Sequence, residues 1–260
     1  MTATPTVVHP RRGIVLTLFL ALWGGSPMTW ADDSPVPEHP LRAGFLLVDG
    51  VYNTELMAPW DVFQHTAAHA SPHPGIEVFT VAPDDRPIQT AEGLRILPDY
   101  TFDTAPEIDI LVVPSAEHSR DSNREDERLI DWVSRTGREA QFVMSLCWGA
   151  FILAEAGLLD GHSCTTFPSD YRSFAEAFPD LDLKVNASFV HDGKVLTSQG
   201  GSRSYDVAMY LVDLILGESV AKGVGSGLLI DWPWSVDNRP AYVTDTDPDP
   251  DTPTVGPDGR

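Results

Sequence analysis

The chain has 260 residues and a formal net charge of −21 at neutral pH, a length that supports one sizeable domain core and leaves little for a second. So acidic a surface argues against nucleic acid as a partner, because phosphate binding requires clustered lysine and arginine. The hydrophobic content of 42% is ordinary for a soluble globular protein and argues against both a largely disordered chain and a polytopic membrane protein.

Residues 1–31 have the pattern of a secretory signal peptide. Arg11 and Arg12 precede an apolar run over residues 13–23, and small residues follow up to Ala31, after which we expect cleavage. The run is shorter than the roughly 20 apolar residues of a membrane span, so an uncleaved N-terminal anchor is the alternative. The paired arginines leave general and twin-arginine export open. We expect a periplasmic or secreted mature protein without membrane contact.

A proline-rich spacer over residues 32–41 precedes alternating strand and helix patterns. Continuous apolar runs are typical of strands covered on both faces, and they predict strands at Ala43–Val48, Ile76–Val81, Leu94–Leu97 (a short edge piece), Ile108–Val113, Gln141–Leu146, Ser163–Phe167, Ala187–Val190 and Val195–Ser198. Apolar residues at helical spacing predict helices at Glu55–His69, Arg124–Arg135, Trp148–Ala156, Ser202–Leu216 and Val220–Leu229. The alternation predicts a mostly parallel sheet with helices on both faces, and Asp192-Gly193 predicts a hairpin turn.

Residues 235–260 are rich in aspartate, proline and threonine, and we predict a disordered acidic tail there. Alternating aspartates from Asp245 to Asp251 lack the glycine and the final glutamate of an EF-hand, so they predict no more than weak cation association. We predict no metal site and no cofactor.

Two cysteines, Cys147 and Cys164, would enter an oxidising compartment after export. A disulfide between them is one interpretation. Each lies at the end of a separate predicted strand, however, and this favours two free thiols. Metal binding is not indicated, because only His162 lies near either cysteine at a ligand spacing.

The segment around Cys147 predicts a nucleophile elbow, in which a strand ends in a nucleophile and turns at once into a helix. The turn would place the sulfur beside the first free N–H groups of the helix, which favour thiolate over thiol. The N–H of Trp148 could also donate to a developing oxyanion, and Gly149 removes a side chain where the turn is crowded. A buried, inert cysteine at a strand end explains the same local pattern, so these residues alone leave both interpretations open.

Three separated segments together resemble one known superfamily. They are residues 45–63 (FLLVDGVYNTELMAPWDVF), residues 145–161 (SLCWGAFILAEAGLLDG) with Thr165 and Thr166 after them, and residues 190–201 (VHDGKVLTSQGG) leading to Tyr205 and Asp206. Their order and spacing resemble the ThiJ/PfpI superfamily, the class I glutamine-amidotransferase-like proteins.

The resemblance implies a flavodoxin-like three-layer α/β sandwich over residues 42–234, with Cys147 at its elbow. Glu55 falls where the family keeps an acidic side chain near the cysteine, and it could hydrogen-bond the thiolate or act as general acid and base. A first-turn glutamate favoured by the helix dipole is the alternative, and the functional role is preferred. Asp206 matches a family aspartate, for which capping or structural hydrogen bonding serves as well as catalysis. Because the family often dimerises, a homodimer is a further expectation.

The chain departs from the family pattern at three places. Trp148 stands where many members have histidine, and Phe167 stands where several have another. The loop that is often Pro-Gly-Gly is here Pro114-Ser115-Ala116, whose N–H groups could still complete an oxyanion hole with less conformational freedom than glycine gives. Trp148, Phe167 and Trp60 indicate an apolar pocket, although core packing explains aromatic residues equally well.

The histidines offer no clear replacement. His191 precedes the Asp-Gly turn and is predicted to be exposed, and His162 is predicted beside a surface turn. Only His118, after the Pro-Ser-Ala loop, is placed to reach the pocket. A complete Cys-His-Asp triad is therefore not predicted.

The resemblance implies a cysteine-dependent hydrolase or lyase acting on a small molecule, similar to the isonitrile hydratases of the superfamily. Cys147 would attack an electrophilic carbon while Glu55 shuttles protons. The alternative is a non-catalytic small-molecule-binding or thiol redox-sensing module, in which Cys147 oxidises reversibly. Some family members are regulators with a DNA-binding helix-turn-helix, but the predicted export and the acidic tail argue against that role. Amidotransfer is disfavoured because the His-x-Glu pair is not visible.

Overall fold

A computed structural model describes residues 39–233 and 241–243. Its strands, in chain order, are β1 (Leu41–Leu46), β2 (Ile76–Ala82), β3 (Ile88–Gln89), β4 (Arg95–Ile96), β5 (Tyr100–Thr101), β6 (Ile110–Val113), β7 (Phe142–Leu146), β8 (Ser163–Cys164), β9 (Asp182–Leu183), β10 (Phe189–Asp192), β11 (Val195–Ser198) and β12 (Ala241–Val243). Its helices are α1 (Asn53–His69), α2 (Ser122–Glu125), α3 (Glu127–Glu139), α4 (Gly149–Glu155), α5 (Tyr171–Ala177), α6 (Ser204–Leu216) and α7 (Glu218–Leu228).

Eight of these strands form the central sheet, in the order β12-β10-β11-β7-β6-β1-β2-β5. Neighbouring strands run parallel except at the β10–β11 pair, which is antiparallel. The long strands are apolar and buried almost throughout, as expected for a parallel sheet covered on both faces. The predicted mostly parallel sheet is confirmed.

Two hydrophobic cores lie on opposite faces of this sheet. One packs α1, α6 and α7 against it through buried residues such as Phe63, Val207 and Val220. The other packs α3, α4 and α5 through residues such as Trp132 and Phe174. Helix, sheet and helix therefore form the three layers that the family resemblance implied.

The predicted helix over Arg124–Arg135 is interrupted at Asp126. Its backbone is extended, and its carboxylate accepts hydrogen bonds from the N–H groups of Arg128 (3.0 Å) and Leu129 (3.2 Å). A side chain that caps a helix in this way sets its start. The chain therefore ends α2 at Glu125 and begins α3 at Glu127.

Two predicted strands lie outside the central sheet. The residues predicted as an edge piece at Leu94–Leu97 form β4, which pairs only with β3. The strand predicted over Ser163–Phe167 is reduced to β8, which pairs with β9 in a second small sheet. The Asp192-Gly193 hairpin is confirmed, with Gly193 at a φ of 62° between β10 and β11.

The prediction of a disordered tail over residues 235–260 is wrong for Ala241–Val243. These residues form β12, the outer strand of the central sheet, and Tyr242 is buried there. Backbone pairing with β10 and the burial of one aromatic ring offset the acidic composition around them. The rest of the tail, including Asp245–Asp251, lies outside the described residues.

The sheet order sets where a site can form. Strands β1, β6 and β7 are neighbours and run in the same direction, so the loops that follow them meet at one edge of the sheet. In open α/β sheets this edge at the carboxyl ends is where ligands bind. Among the described residues, no helix combines the length and the apolar character needed to cross a membrane.

Candidate active site

Cys147 forms a sharp turn between β7 and α4. Its φ is 55°, a left-handed conformation that non-glycine residues rarely adopt. The Cys147 N–H donates to the Ser198 carbonyl (2.9 Å), and the Thr166 hydroxyl donates to the Cys147 carbonyl (2.9 Å). Hydrogen bonds on both sides thus hold the strained residue in place, which is typical of functional positions. The predicted elbow is present.

Two glycines make room for this turn. A Cβ at Gly149 would lie 2.1 Å from the Val113 carbonyl oxygen, and one at Gly200 would lie 2.3 Å from the Cys147 Cβ. Gly200 also has a φ of 81°, which favours glycine. The crowding predicted at Gly149 is confirmed, while Gly200 was not singled out from the sequence.

Glu55 lies in the first turn of α1 and reaches toward the elbow. Its side chain is buried, with 7% of the residue exposed, and its Oε1 accepts a hydrogen bond from the Gly201 N–H at 2.9 Å. Burial raises the pKa of this carboxyl, Glu92 adds to the effect, and the Gly201 N–H partly opposes it. A carboxyl group shifted toward neutral pH is suited to accepting and returning a proton.

Burial opposes ionisation of the Cys147 thiol. Burial raises the pKa of Cys147 to about 12, and the charges of Glu55 and Asp170 contribute, while the Ser115 side chain and the Trp148 N–H act in the opposite direction. Burial therefore opposes the thiolate that the helix terminus favours. Only 6% of the Cys147 residue is exposed, and helix α4 has only seven residues. The loss of hydration therefore raises the thiol pKa more than the helix N-terminus lowers it.

The loop after β6 supplies a hydroxyl to the sulfur. The Ser115 side chain is fully buried and has no hydrogen-bond partner in the resting pocket, yet a hydrogen bond from it would stabilise the ionised sulfur. The Ala116 N–H instead donates to the Ser119 hydroxyl at 2.9 Å. The predicted use of the Ala116 N–H in an oxyanion hole is therefore not supported, and the Ser115 hydroxyl is the donor that the loop offers.

Trp148 forms one side of the pocket and is fixed by polar partners. Its indole N–H donates to Asp170 at 2.9 Å, and the Arg120 guanidinium lies 4.1 Å from the centre of its ring. Arg120 also pairs with Asp170. We call Trp148, Arg120 and Asp170 the edge cluster. Arg120 and Asp170 were not singled out from the sequence, because their contact spans fifty positions.

Tyr52 is a further pocket residue that the sequence did not reveal. Its ring meets Trp148 edge to face, with the ring centres 5.9 Å apart. Burial raises the pKa of the Tyr52 hydroxyl, and the charges of Glu117, Cys147 and Glu55 raise it further. The hydroxyl therefore stays protonated near the sulfur and can donate a hydrogen bond to a bound molecule.

The remaining predicted site residues are partly exposed or have structural roles. Phe167 is 38% exposed, so it does not form an enclosed apolar wall. Trp60 packs against Phe45 (5.2 Å between ring centres) as part of a core. Asp206 is buried and pairs with Arg203 at 3.2 Å, which supports the structural alternative for it.

The three histidines considered from the sequence lie elsewhere. His118 is on the surface, 3.3 Å from Asp121. His191 is buried, which contradicts the predicted exposure, because its ring bonds to the Tyr210 hydroxyl (2.9 Å) and to the Gly193 carbonyl (2.8 Å) beside the hairpin turn. His162 lies 3.6 Å from Asp192. The site is thus built on cysteine and carboxylate.

Cys147 and Cys164 are both free, as the two separate strand ends predicted. Cys164 is fully buried in the core on the α3–α5 face. Within residues 39–233 and 241–243, no group of three or more histidine, cysteine and acidic side chains is placed to hold a metal ion. A cavity of about 420 Å³ lies between α3 and the chain that leads into β6, and none of its lining residues belongs to the Cys147 pocket.

Comparison with known proteins agrees with this architecture. Isonitrile hydratase of Pseudomonas putida is 30% identical over 183 residues, which cover 70% of this chain and 75% of that protein. The HTH-type transcriptional regulator GbdR of Pseudomonas aeruginosa is 28% identical over 194 residues, 73% of this chain but only 51% of the regulator. The crystal structure of a ThiJ/PfpI family protein from Pseudomonas syringae superposes with a TM-score of 0.65 at 22% identity, covering 81% of this chain and 86% of that one.

The match to a family model covers most of the described sheet and the loops that follow β6 and β7. Residues 41–214 match the DJ-1/PfpI family, a range that contains Glu55, Ser115, Cys147 and Gly201. The chain belongs to the DJ-1/PfpI family.

Proposed function

We propose that this protein is an exported, cysteine-dependent hydratase or hydrolase that acts on a small uncharged molecule of the isonitrile type. The observation that carries the proposal is the strained Cys147 elbow, within electrostatic reach of the buried Glu55 carboxyl. The similarity to an isonitrile hydratase over three quarters of that enzyme's length supports the choice of substrate.

The first step adds the thiol to the terminal carbon of an isonitrile, R–N≡C. A C–S bond and a C–H bond form while the S–H bond breaks, and Glu55 carries the proton from sulfur to carbon. The intermediate is a thioimidate, R–N=CH–S–Cys147. Water then adds to the same carbon, one of its protons goes to nitrogen, and the other returns to sulfur as the C–S bond breaks. The product is the N-substituted formamide R–NH–CHO.

The resting state of the thiol explains why a second group is needed. A thiol whose pKa is raised to about 12 is almost entirely protonated at neutral pH, so it requires a base at the moment of attack. Glu55 supplies that base, and the Gly201 N–H keeps its carboxyl oriented. The Ser115 hydroxyl and the Trp148 N–H stabilise the charge that develops on sulfur.

The charges around the pocket favour an uncharged substrate. Glu55 and Asp170 both raise the pKa of Cys147, and Glu117 and Glu92 add negative charge around Tyr52. An anionic substrate would be repelled at this site. An isonitrile carries no net charge and presents a terminal carbon to which a thiol can add.

The two alternative functions have less support. Peroxide oxidation of cysteine requires thiolate character and exposure, and Cys147 has little of either. Regulation of transcription rests on relatives such as GbdR, of which this chain matches about half. Export through residues 1–31 and assembly as a homodimer stay predictions, and residues 1–38 lie outside the described part of the chain.

Steady-state kinetics with a panel of isonitriles tests the proposal. Wild-type protein should form the corresponding formamide, Cys147→Ala should lose turnover by a factor of at least about a thousand, and Glu55→Gln should lose about a hundredfold to ten-thousandfold. Thermal unfolding of all three proteins controls for folding. Turnover that survives Cys147→Ala would rule out the mechanism.

A further inference from the structure

Asp170 is a buried carboxylate that the proposed reaction does not use. It lies in the turn that precedes α5, and only 6% of the residue is exposed. Its Oδ2 accepts hydrogen bonds from the Trp148 indole N–H (2.9 Å) and from the Ser169 hydroxyl (2.9 Å), and its Oδ1 pairs with Arg120. A carboxylate taken out of water requires such partners, and here three of them converge on one side of the pocket.

These contacts hold the Trp148 side chain from several directions. Asp170 fixes the edge that carries the indole N–H, Arg120 covers one face of the ring at 4.1 Å, and Tyr52 meets the ring edge to face. A large flat side chain that is held in this way keeps one position. Trp148 directly follows the nucleophile, and its ring partners Tyr52 and Asp170 both interact electrostatically with Cys147. The indole therefore borders the space beside the sulfur.

We propose that Asp170 is a positioning residue of this pocket, which holds the Trp148 indole in place and so limits the size of the organic group that a substrate can carry. The substrate part of this inference rests on the proposed function. Supporting side chains of this kind give a site its geometry, and a displacement of about 1 Å at a reacting centre can cost about a hundredfold in rate.

The ion pair within the edge cluster gives the inference a second consequence. Asp170 lies close enough to Cys147 for its charge to oppose ionisation of the thiol, and Arg120 partly balances that charge through the ion pair. Removing the carboxylate charge should therefore ease ionisation of Cys147, while removing the guanidinium should hinder it. Damage to the fold would not move the two variants in opposite directions.

Alkylation of Cys147 by iodoacetamide, followed by peptide mass mapping, measures this effect without any substrate. At pH 8.5 we expect Asp170→Asn to react about twofold to fivefold faster than wild type and Arg120→Gln to react slower by a similar factor. Arg172→Gln is the matched control, because Arg172 forms an exposed ion pair with Glu176, and it should react at the wild-type rate. Equal rates, or changes in the same direction, in the two cluster variants would overturn the electrostatic link.

Kinetics with methyl and cyclohexyl isonitrile measure the size limit. Asp170→Ala frees the indole, so kcat/KM for the cyclohexyl compound should rise about tenfold relative to the methyl compound. Asp170→Asn keeps an oxygen that can accept the indole N–H bond and should change that ratio by less than about threefold. If Asp170→Ala leaves the ratio unchanged, the positioning role is wrong.

The two experiments separate failure of this inference from failure of the proposed function. If wild-type protein turns over no isonitrile, the proposed function fails while the alkylation comparison still tests the edge cluster. If Asp170→Ala does not fold, Trp148→Leu replaces it in the size experiment, since it removes the indole while keeping the carboxylate. The same tenfold relaxation is expected for that variant, and an unchanged ratio again contradicts the inference.

Discussion

Replacing Gly149 by alanine perturbs the elbow without removing any functional group. The added Cβ would lie 2.1 Å from the Val113 carbonyl oxygen and 3.1 Å from the Val113 carbonyl carbon. Both contacts are with backbone of the buried strand β6, which cannot rotate away as a flexible side chain could. The start of α4, and with it Cys147, must therefore move by about 1 Å to restore an ordinary contact distance.

The size of the effect follows from that displacement. Overpacking of a well-packed interior typically costs about 1–3 kcal/mol of unfolding free energy, which lowers Tm by about 2–4 °C per kcal/mol for a domain of this size. A 1 Å displacement of the sulfur from Glu55 and Ser115 would lower turnover about a hundredfold. Gly149→Ala should thus lose far more activity than stability, as measured by formamide production and by thermal unfolding on the same preparation.

The matched control is Gly227→Ala in α7, where the nearest atom to the added Cβ is the His65 ring at 3.3 Å. A side chain at that distance can adjust, and near the end of a helix alanine is favoured over glycine by up to about 1 kcal/mol. The control should retain full turnover and equal or greater stability. If Gly149→Ala matches the control in both measurements, the close approach at the elbow does not position the nucleophile.

Three further changes test the roles assigned around the sulfur. Because burial raises the pKa of Glu55, the folded protein binds that proton more tightly than the unfolded chain does. The contribution of Glu55 to stability therefore falls as pH rises from the ordinary pKa toward the raised one. Relative to wild type, Glu55→Gln should gain more in Tm at pH 7 than at pH 4. Ser115→Ala should lower turnover about tenfold to a hundredfold without loss of stability, since the hydroxyl has no partner in the resting pocket. Cys164→Ala should keep wild-type turnover while losing about 1 kcal/mol of stability, because its side chain only fills the core.

Each of these expectations has a contrary outcome. An equal change in Tm at the two pH values for Glu55→Gln would contradict a carboxyl whose pKa is raised by burial. Full turnover in Ser115→Ala would mean that the Trp148 N–H alone stabilises the charge that develops on sulfur. Loss of turnover in Cys164→Ala, in a protein that stays folded, would mean that the second thiol takes part in the reaction.

Much of the fold could be predicted from local sequence patterns. The apolar runs that became β1, β2, β6, β7 and β11 are long enough, and clearly enough bounded, to be read from sequence. The failures lie in short elements such as β5 and β12, whose residues have little periodicity and whose pairing depends on contacts distant in sequence. Asp126, which ends one helix and caps the next, shows how one polar side chain overrides an apolar periodicity.

The site residues also differ in whether local sequence patterns could predict them. Cys147, Glu55 and Gly149 could be predicted because they belong to local motifs that the family resemblance placed together. Tyr52, Arg120 and Asp170 could not, since they act through contacts between separate loops. The raised pKa of the Cys147 thiol could not be predicted either, because the sequence indicates a helix terminus but does not measure how deeply the thiol is buried.

The most direct test of the account is to trap the covalent intermediate. Protein that is acid-quenched during turnover of an isonitrile should carry one added substrate mass, and peptide mapping should place that mass on the peptide containing Cys147 and not on the peptide containing Cys164. The adduct should be absent in Cys147→Ala and should accumulate when hydration is slowed at low water activity. Formamide production by a protein in which Cys147 never carries the substrate would contradict the central claim that this thiol is the nucleophile.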